Sequence, residues 1–99
     1  MKVGEHSCLK IEIPGRNLNL KTYVVYLDPT VGFNPRRIDF VWRDNRPSTV
    51  WYSDYQKVAN VWFPRKQVQE YGFRFEPNTM CRVVNTVTRL TPLSPVRSR

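Results

Sequence analysis

Apolar and polar side chains alternate along most of this chain, and a period of two marks strands with one buried face. Leu9, Ile11 and Ile13 alternate with Lys10 and Glu12, and the PGRN that follows predicts a tight turn. Leu20 to Leu27 is rich in β-branched and aromatic residues with apolar side chains on both parities, which predicts a central strand or one with an aromatic outer face. The prolines and glycine of DPTVGFNP, Asp28 to Pro35, stop it. Alternation resumes with Ile38, Phe40 and Trp42 on one face and Arg37, Asp39, Val41 and Arg43 on the other.

DNRPS predicts the next turn, after which Val50 and Tyr52 oppose Thr49, Trp51 and Ser53. KVAN predicts a reversal, followed by a strand with Val61, Trp62 and Phe63 before Pro64, then Lys66, Val68 and Glu70 opposite Arg65, Gln67 and Gln69, ending at Phe73 and Phe75. Proline cannot donate to a ladder, so Pro64 belongs at an edge, a strand start or a bulge. The residue before a proline is held extended, so Trp62 and Phe63 point to opposite faces. EPN, Glu76 to Asn78, predicts a turn, and TMCRVVNTVTRL a last strand. Together these predict an all-β antiparallel meander of about six strands with no major helix. Residues 1–90 form one domain in this reading, and 91–99 a Pro- and Arg-containing tail that is extended or frayed.

Length agrees with one domain: 99 residues bury ~60–65 % of their unfolded surface and hold one modest core. The net charge of +8 suits nucleic acid, anionic lipid or an acidic protein. The charge is dispersed, with eight Lys and Arg in each half of the chain against five and then three acids. No run approaches a membrane span, and residues 1–14 lack the apolar core of a secretory signal. Met1 as the natural start therefore predicts a cytoplasmic protein, whereas export as part of a longer one predicts the periplasm or cell envelope. Cys8 and Cys81 are expected to be buried or half-buried thiols, the alternative being a disulfide between the first and last strands.

Chemistry is sparse. His6 is the lone histidine and cannot complete a zinc set with two distant cysteines, no glycine-rich phosphate loop exists, and no nucleophile sits at a recognised spacing from a base. The expectation is no metal, no cofactor and no enzyme.

Three stretches together resemble a known group: YLDPTVGFNPRRIDF, YSDYQKVANVWFPRKQVQEY and CRVVNTVTRLTPLSP. They are similar to the C-terminal β-meander of bacterial outer-membrane lipoprotein carriers and of the related periplasmic sensor that restrains a stress sigma factor, a half-barrel group. The motif positions are Leu27, Asp28, Pro29 and Gly32; Pro35, Arg36, Arg37 and Ile38; Tyr55, Val58, Trp62, Phe63 and Pro64; and Val84, Val87, Pro92 and Leu93. The resemblance implies a curved, half-barrel-like sheet whose concave apolar face accepts acyl chains. The family's N-terminal strands and helical lid have no counterpart here, which makes an exposed sheet face, and hence a homodimer, an expectation.

Two functions follow. One is a non-catalytic module of the cell envelope that presents Tyr26, Phe40, Trp42, Trp51, Tyr52, Trp62 and Phe63 to a hydrophobic or acylated, lipid- or lipoprotein-like partner, with a basic rim. The other is a small basic sheet that binds single-stranded nucleic acid, or a nucleic-acid enzyme. There Arg36, Arg37, Arg43, Arg65, Lys66 and Arg74 would track phosphates while bases stack on the tryptophans.

Overall fold

A computed structural model describes residues 2–73 and 76–89. Its strands are β1 (Lys2–Val3), β2 (His6–Ser7), β3 (Leu9–Pro14), β4 (Leu20–Asp28), β5 (Asn34–Trp42), β6 (Ser48–Val58), β7 (Val61–Phe73) and β8 (Glu76–Thr86), with one 3₁₀ turn at Pro29–Val31. Strands β3 to β8 form a six-stranded sheet in sequence order, every pair antiparallel. The sheet is open, with β3 and β8 as its edges. The all-β meander expected from alternation is the fold.

The turns follow from local chemistry. Between β3 and β4, the Asn17 side chain accepts from the backbone N–H groups of Asn19 (3.0 Å) and Leu20 (2.8 Å). A Cβ on Gly15 would lie 2.0 Å from the Leu20 carbonyl oxygen, so only glycine fits there. Between β4 and β5, Asp28 caps the 3₁₀ turn by accepting from Thr30 N, Pro29 starts it, and Gly32 ends it at φ 69.

Register divides the side chains between two faces. One, the apolar face, carries Leu9, Ile11 and Ile13 on β3; Leu20, Tyr23, Val25 and Leu27 on β4; and Pro35, Ile38, Phe40 and Trp42 on β5. It continues over Val50 on β6 and turns polar at Gln67 and Gln69 on β7. The other, the charged face, carries Lys10, Glu12, Tyr26, Asp28, Arg37, Asp39, Trp51, Lys66 and Glu70. A bulge where Tyr26 pairs with Arg37 and Leu27 with Pro35 leaves Arg36 as the extra residue, which puts it beside Arg37 on the charged face.

This single layer has little interior. The radius of gyration is 16.0 Å, where a compact chain of this length has about 13 Å. Among the described residues the buried apolar ones are Cys8, Leu20, Tyr26, Val31, Val50 and Val68, and they are divided between the faces, Leu20 and Val50 on the apolar one and Tyr26 and Val68 on the charged one.

The structure differs from the sequence reading in several places. Residues 2–7, for which the alternation predicts no strand, form the hairpin β1–β2, with Gly4 at φ 60. Asn34 and Pro35 open β5, where the sequence suggested a loop. Glu76 to Asn78, read as a turn, begins β8: Glu76 pairs with Phe73, and a register shift beside Gly72 absorbs the extra residues. Pro64 sits inside β7, yet β8 pairs only from Lys66 onward, so the strand is a local edge at the proline. Next to its partner Tyr55, Asp54 adopts φ 56 where the β6–β7 ladder skips the Asp54–Arg65 pair. Cys8 and Cys81 are free thiols at opposite edges of the sheet, Cys8 buried and Cys81 half-buried, which rules out the first-to-last-strand disulfide. The predicted C-terminal tail, Arg74 and Phe75 lie outside the described residues.

Candidate functional site

The charged face is organised around Asp28, whose carboxylate is fully buried. Its Oδ1 accepts from Thr30 N (2.8 Å) and Thr30 Oγ1 (2.7 Å), and its Oδ2 accepts from Arg36 Nε at 2.7 Å. His6 Nδ1 of the N-terminal hairpin stands 3.5 Å from the same oxygen. Burial opposes the charge, but the hydrogen bonds from Thr30 and Arg36 outweigh it and hold the carboxyl below the ordinary aspartate range. Beside it, burial and then the Asp28 charge push the Cys8 thiol up.

The cations on this face are laid on aromatic rings. Arg36 lies 4.9 Å from the Tyr55 ring centre, Arg37 lies 5.5 Å from Tyr26 and 5.8 Å from Trp51, and Lys57 lies 5.8 Å from Trp62. Arg37 Nε also donates to Asp39 Oδ1 (2.8 Å), which accepts from Thr49 Oγ1 as well (3.0 Å). The Tyr55 hydroxyl donates to the Pro35 carbonyl, and burial pushes its pKa up to about 12. A cleft of about 390 Å³ runs between the N-terminal hairpin and this face, lined by Lys2, His6, Arg36, Arg37, Trp51 and Ser53 among others.

The seven aromatics singled out from the sequence do not share a surface. Phe40, Trp42, Tyr52 and Phe63 belong to the apolar face by register, and Tyr26, Trp51 and Trp62 to the charged one. Trp62 covers Gly32 in the β4–β5 connection, with Cδ1 3.2 Å from where a glycine Cβ would stand. Tyr23 and Phe40 meet edge to face at 5.5 Å on the apolar face.

The basic residues divide too. Arg36, Arg37 and Lys66 are on the charged face. Arg65 turns the other way and donates from Nη2 to the carbonyls of Val87 and Thr88, both at 3.3 Å. Arg43 is exposed just past β5, and Arg74 lies outside the described residues. Arg46, not singled out from the sequence, stacks 4.1 Å over Trp42 and closes one end of the apolar face.

Asp28 is the residue that sequence reasoning passed over as a functional group. Its signal was present in the Asp-Pro-Thr-Val-Gly run, a capping aspartate with proline at the first turn position and glycine at the end.

On the apolar face of β3, β4 and β5, every side chain that register places there is uncharged, while Lys10, Glu12, Asp28, Arg36, Arg37 and Asp39 all lie opposite. Leu9, Ile11 and Ile13 are 52 %, 40 % and 44 % exposed, so no second layer of the described chain covers them. From strand spacing and rise this patch is about 14 Å wide and about 20 Å long, on the order of 300 Å². Among the described residues no group of three or more His, Cys, Asp or Glu could hold a metal ion, and no helix is long and apolar enough to cross a membrane. Comparison with known proteins returns no matching family model, curated protein or solved structure.

Proposed function

We propose that this chain is a non-catalytic binding sheet whose apolar face takes an acyl chain or similar apolar group from a lipid- or lipoprotein-like partner of the bacterial cell envelope. The observation that carries the reading is the uncharged, open face of β3, β4 and β5, backed by a sheet that holds its charges on the other side. A patch of this size matches the largest apolar patch of a typical monomer, which is often a functional surface. The resemblance to outer-membrane lipoprotein carriers supports the same ligand class. The net charge of +8 favours a ligand with an anionic head group.

The nucleic-acid alternative draws less support from the geometry. Its basic and aromatic residues are present, but Arg36, Arg37 and Lys57 already lie against the rings on which bases would stack.

The test is a tryptophan-fluorescence titration with palmitate and, in parallel, with a single-stranded oligonucleotide at two salt concentrations. The expected result is a saturable response to palmitate, weakened only modestly by salt, that Phe40→Lys removes and Arg37→Gln leaves intact, both variants being checked for fold by circular dichroism. Binding of the oligonucleotide alone, weakening steeply with salt, would overturn the proposal.

A further inference from the structure

Strand β3 is a bare edge, and its sequence is complementary to itself. All six residues, Leu9 to Pro14, are exposed. Gly15 N donates to the Lys21 carbonyl, 3.0 Å, just beyond the last paired residues of β3 and β4. Alternation from that bond turns the backbone groups of Leu9, Ile11 and Ile13 toward β4 and those of Lys10 and Glu12 outward. Pro14 falls on the outward set as well, so the nitrogen that lacks a hydrogen is the one that β4 does not need. Lys10 and Glu12 have no cross-strand charge on β4, where they face Tyr26 and Val24. Among the described residues they reach only each other, at 3.9 Å, and are 41 % and 67 % exposed.

We propose that β3 pairs with β3 of a second copy of this chain, antiparallel and centred on Ile11. A continuous antiparallel sheet across a two-fold axis keeps each face on its own side, so only registers centred on a residue are allowed. Centring on Ile11 sets Lys10 of each copy opposite Glu12 of the other and Leu9 opposite Ile13. Lys10 and Glu12 then exchange both of their outward backbone bonds on each side of the axis, and their side chains make two opposite-charge cross-strand pairs. Centring on Glu12 would oppose two carboxylates, and centring on Lys10 two ammonium groups. Centring on Leu9 or Ile13 would part Lys10 from Glu12 and lose both opposite-charge pairs, so charge selects one register.

The other edge offers no equivalent. On β8, Arg82 is already held by Glu70 of β7 at 3.3 Å, and the strand is broken by the register shift near its start. The dimer is independent of the ligand proposal, because it uses the edge and leaves the apolar faces of both copies open and side by side.

The experiment is sedimentation velocity of the full chain across a concentration series, with fold checked by circular dichroism. The wild type is expected to dimerise. Lys10→Glu and Glu12→Lys are each expected to weaken dimerisation at least tenfold, since each leaves only like charges across the axis. An equimolar mixture of the two variants is expected to form a heterodimer, and the double variant K10E/E12K to dimerise like the wild type. Arg82→Glu on β8 is expected to change nothing. A wild type that stays monomeric at hundreds of micromolar would overturn the proposal, as would a dimer indifferent to both single variants or an equimolar mixture that fails to associate.

Discussion

Replacing Asp28 by alanine tests whether a buried carboxylate, rather than an apolar core, fixes the centre of this sheet. The substitution removes two acceptor contacts to Thr30 and one to Arg36. The two bonds from Thr30 cap the 3₁₀ turn and contribute about 1–2 kcal/mol together, and the charge-assisted bond from Arg36 about 1.5–3 kcal/mol, for a gross loss of about 2.5–5 kcal/mol. Removing one partner of a buried ion pair costs about 3–5 kcal/mol by itself, because it strands the other charge. Arg36 is such a partner, with a side chain only 10 % exposed. Both routes fall within a loss of about 2.5–5 kcal/mol, comparable with the whole stability of a small domain. Urea unfolding followed by tryptophan fluorescence and circular dichroism reads it directly. The pH dependence has a defined sign. The folded pKa of Asp28 lies below its unfolded value, so its stabilisation is complete above the unfolded value near ~3.9 and is lost as pH falls through the folded one. Asp28→Asn should flatten that acid limb. A loss below about 1 kcal/mol in Asp28→Ala, or an acid limb unchanged in Asp28→Asn, would refute the reasoning.

Two further outcomes are expected. Gly32→Ala places a Cβ at φ 69 and 3.2 Å from Trp62 Cδ1, so it should cost about 1–2 kcal/mol in urea unfolding and shift tryptophan emission. Tyr55→Phe removes the hydrogen bond to the Pro35 carbonyl and should cost about 1 kcal/mol. In the wild type one phenol should ionise only near about 12 by absorbance titration; since the folded pKa is the higher one, stability falls as pH rises past the ordinary tyrosine value, and Tyr55→Phe should lack that slope.

Alternation made the sheet legible because each strand buries, or fails to bury, one face at a time. The split of Ile38, Phe40 and Trp42 from Arg37, Asp39 and Val41 is the split seen in the β4–β5 ladder. What alternation could not give is the effect of an inserted residue. The bulge that sets Arg36 beside Arg37 defeats a parity count, and the same holds for the shift that draws Glu76 into β8. The hairpin of residues 2–7 is too short to show any period, and Gly4 is its sole local signal. The aromatics were legible as strand residues but not as a shared surface. Tyr26 and Phe40 sit on neighbouring strands, and only register decides that they face apart.

The join between β5 and β6 is short: it pairs Arg37, Ile38 and Asp39 with Trp51, Val50 and Thr49, while β4–β5 and β6–β7 are paired along nearly their whole lengths. Extensive contacts run only between strands that are consecutive in sequence. The molecule is thus two three-stranded panels stitched along a narrow seam, and the stitches that cross it elsewhere are side chains: Tyr55 on Pro35 and Arg36, and Trp62 on Gly32. Such a seam is where cooperativity is weakest. Amide hydrogens of β4 and of the β6–β7 hairpin are therefore expected to exchange through different opening units, which native-state hydrogen exchange would read. Loosening the Trp62 and Tyr55 contacts would uncouple the apolar panel from its neighbour before either panel melts.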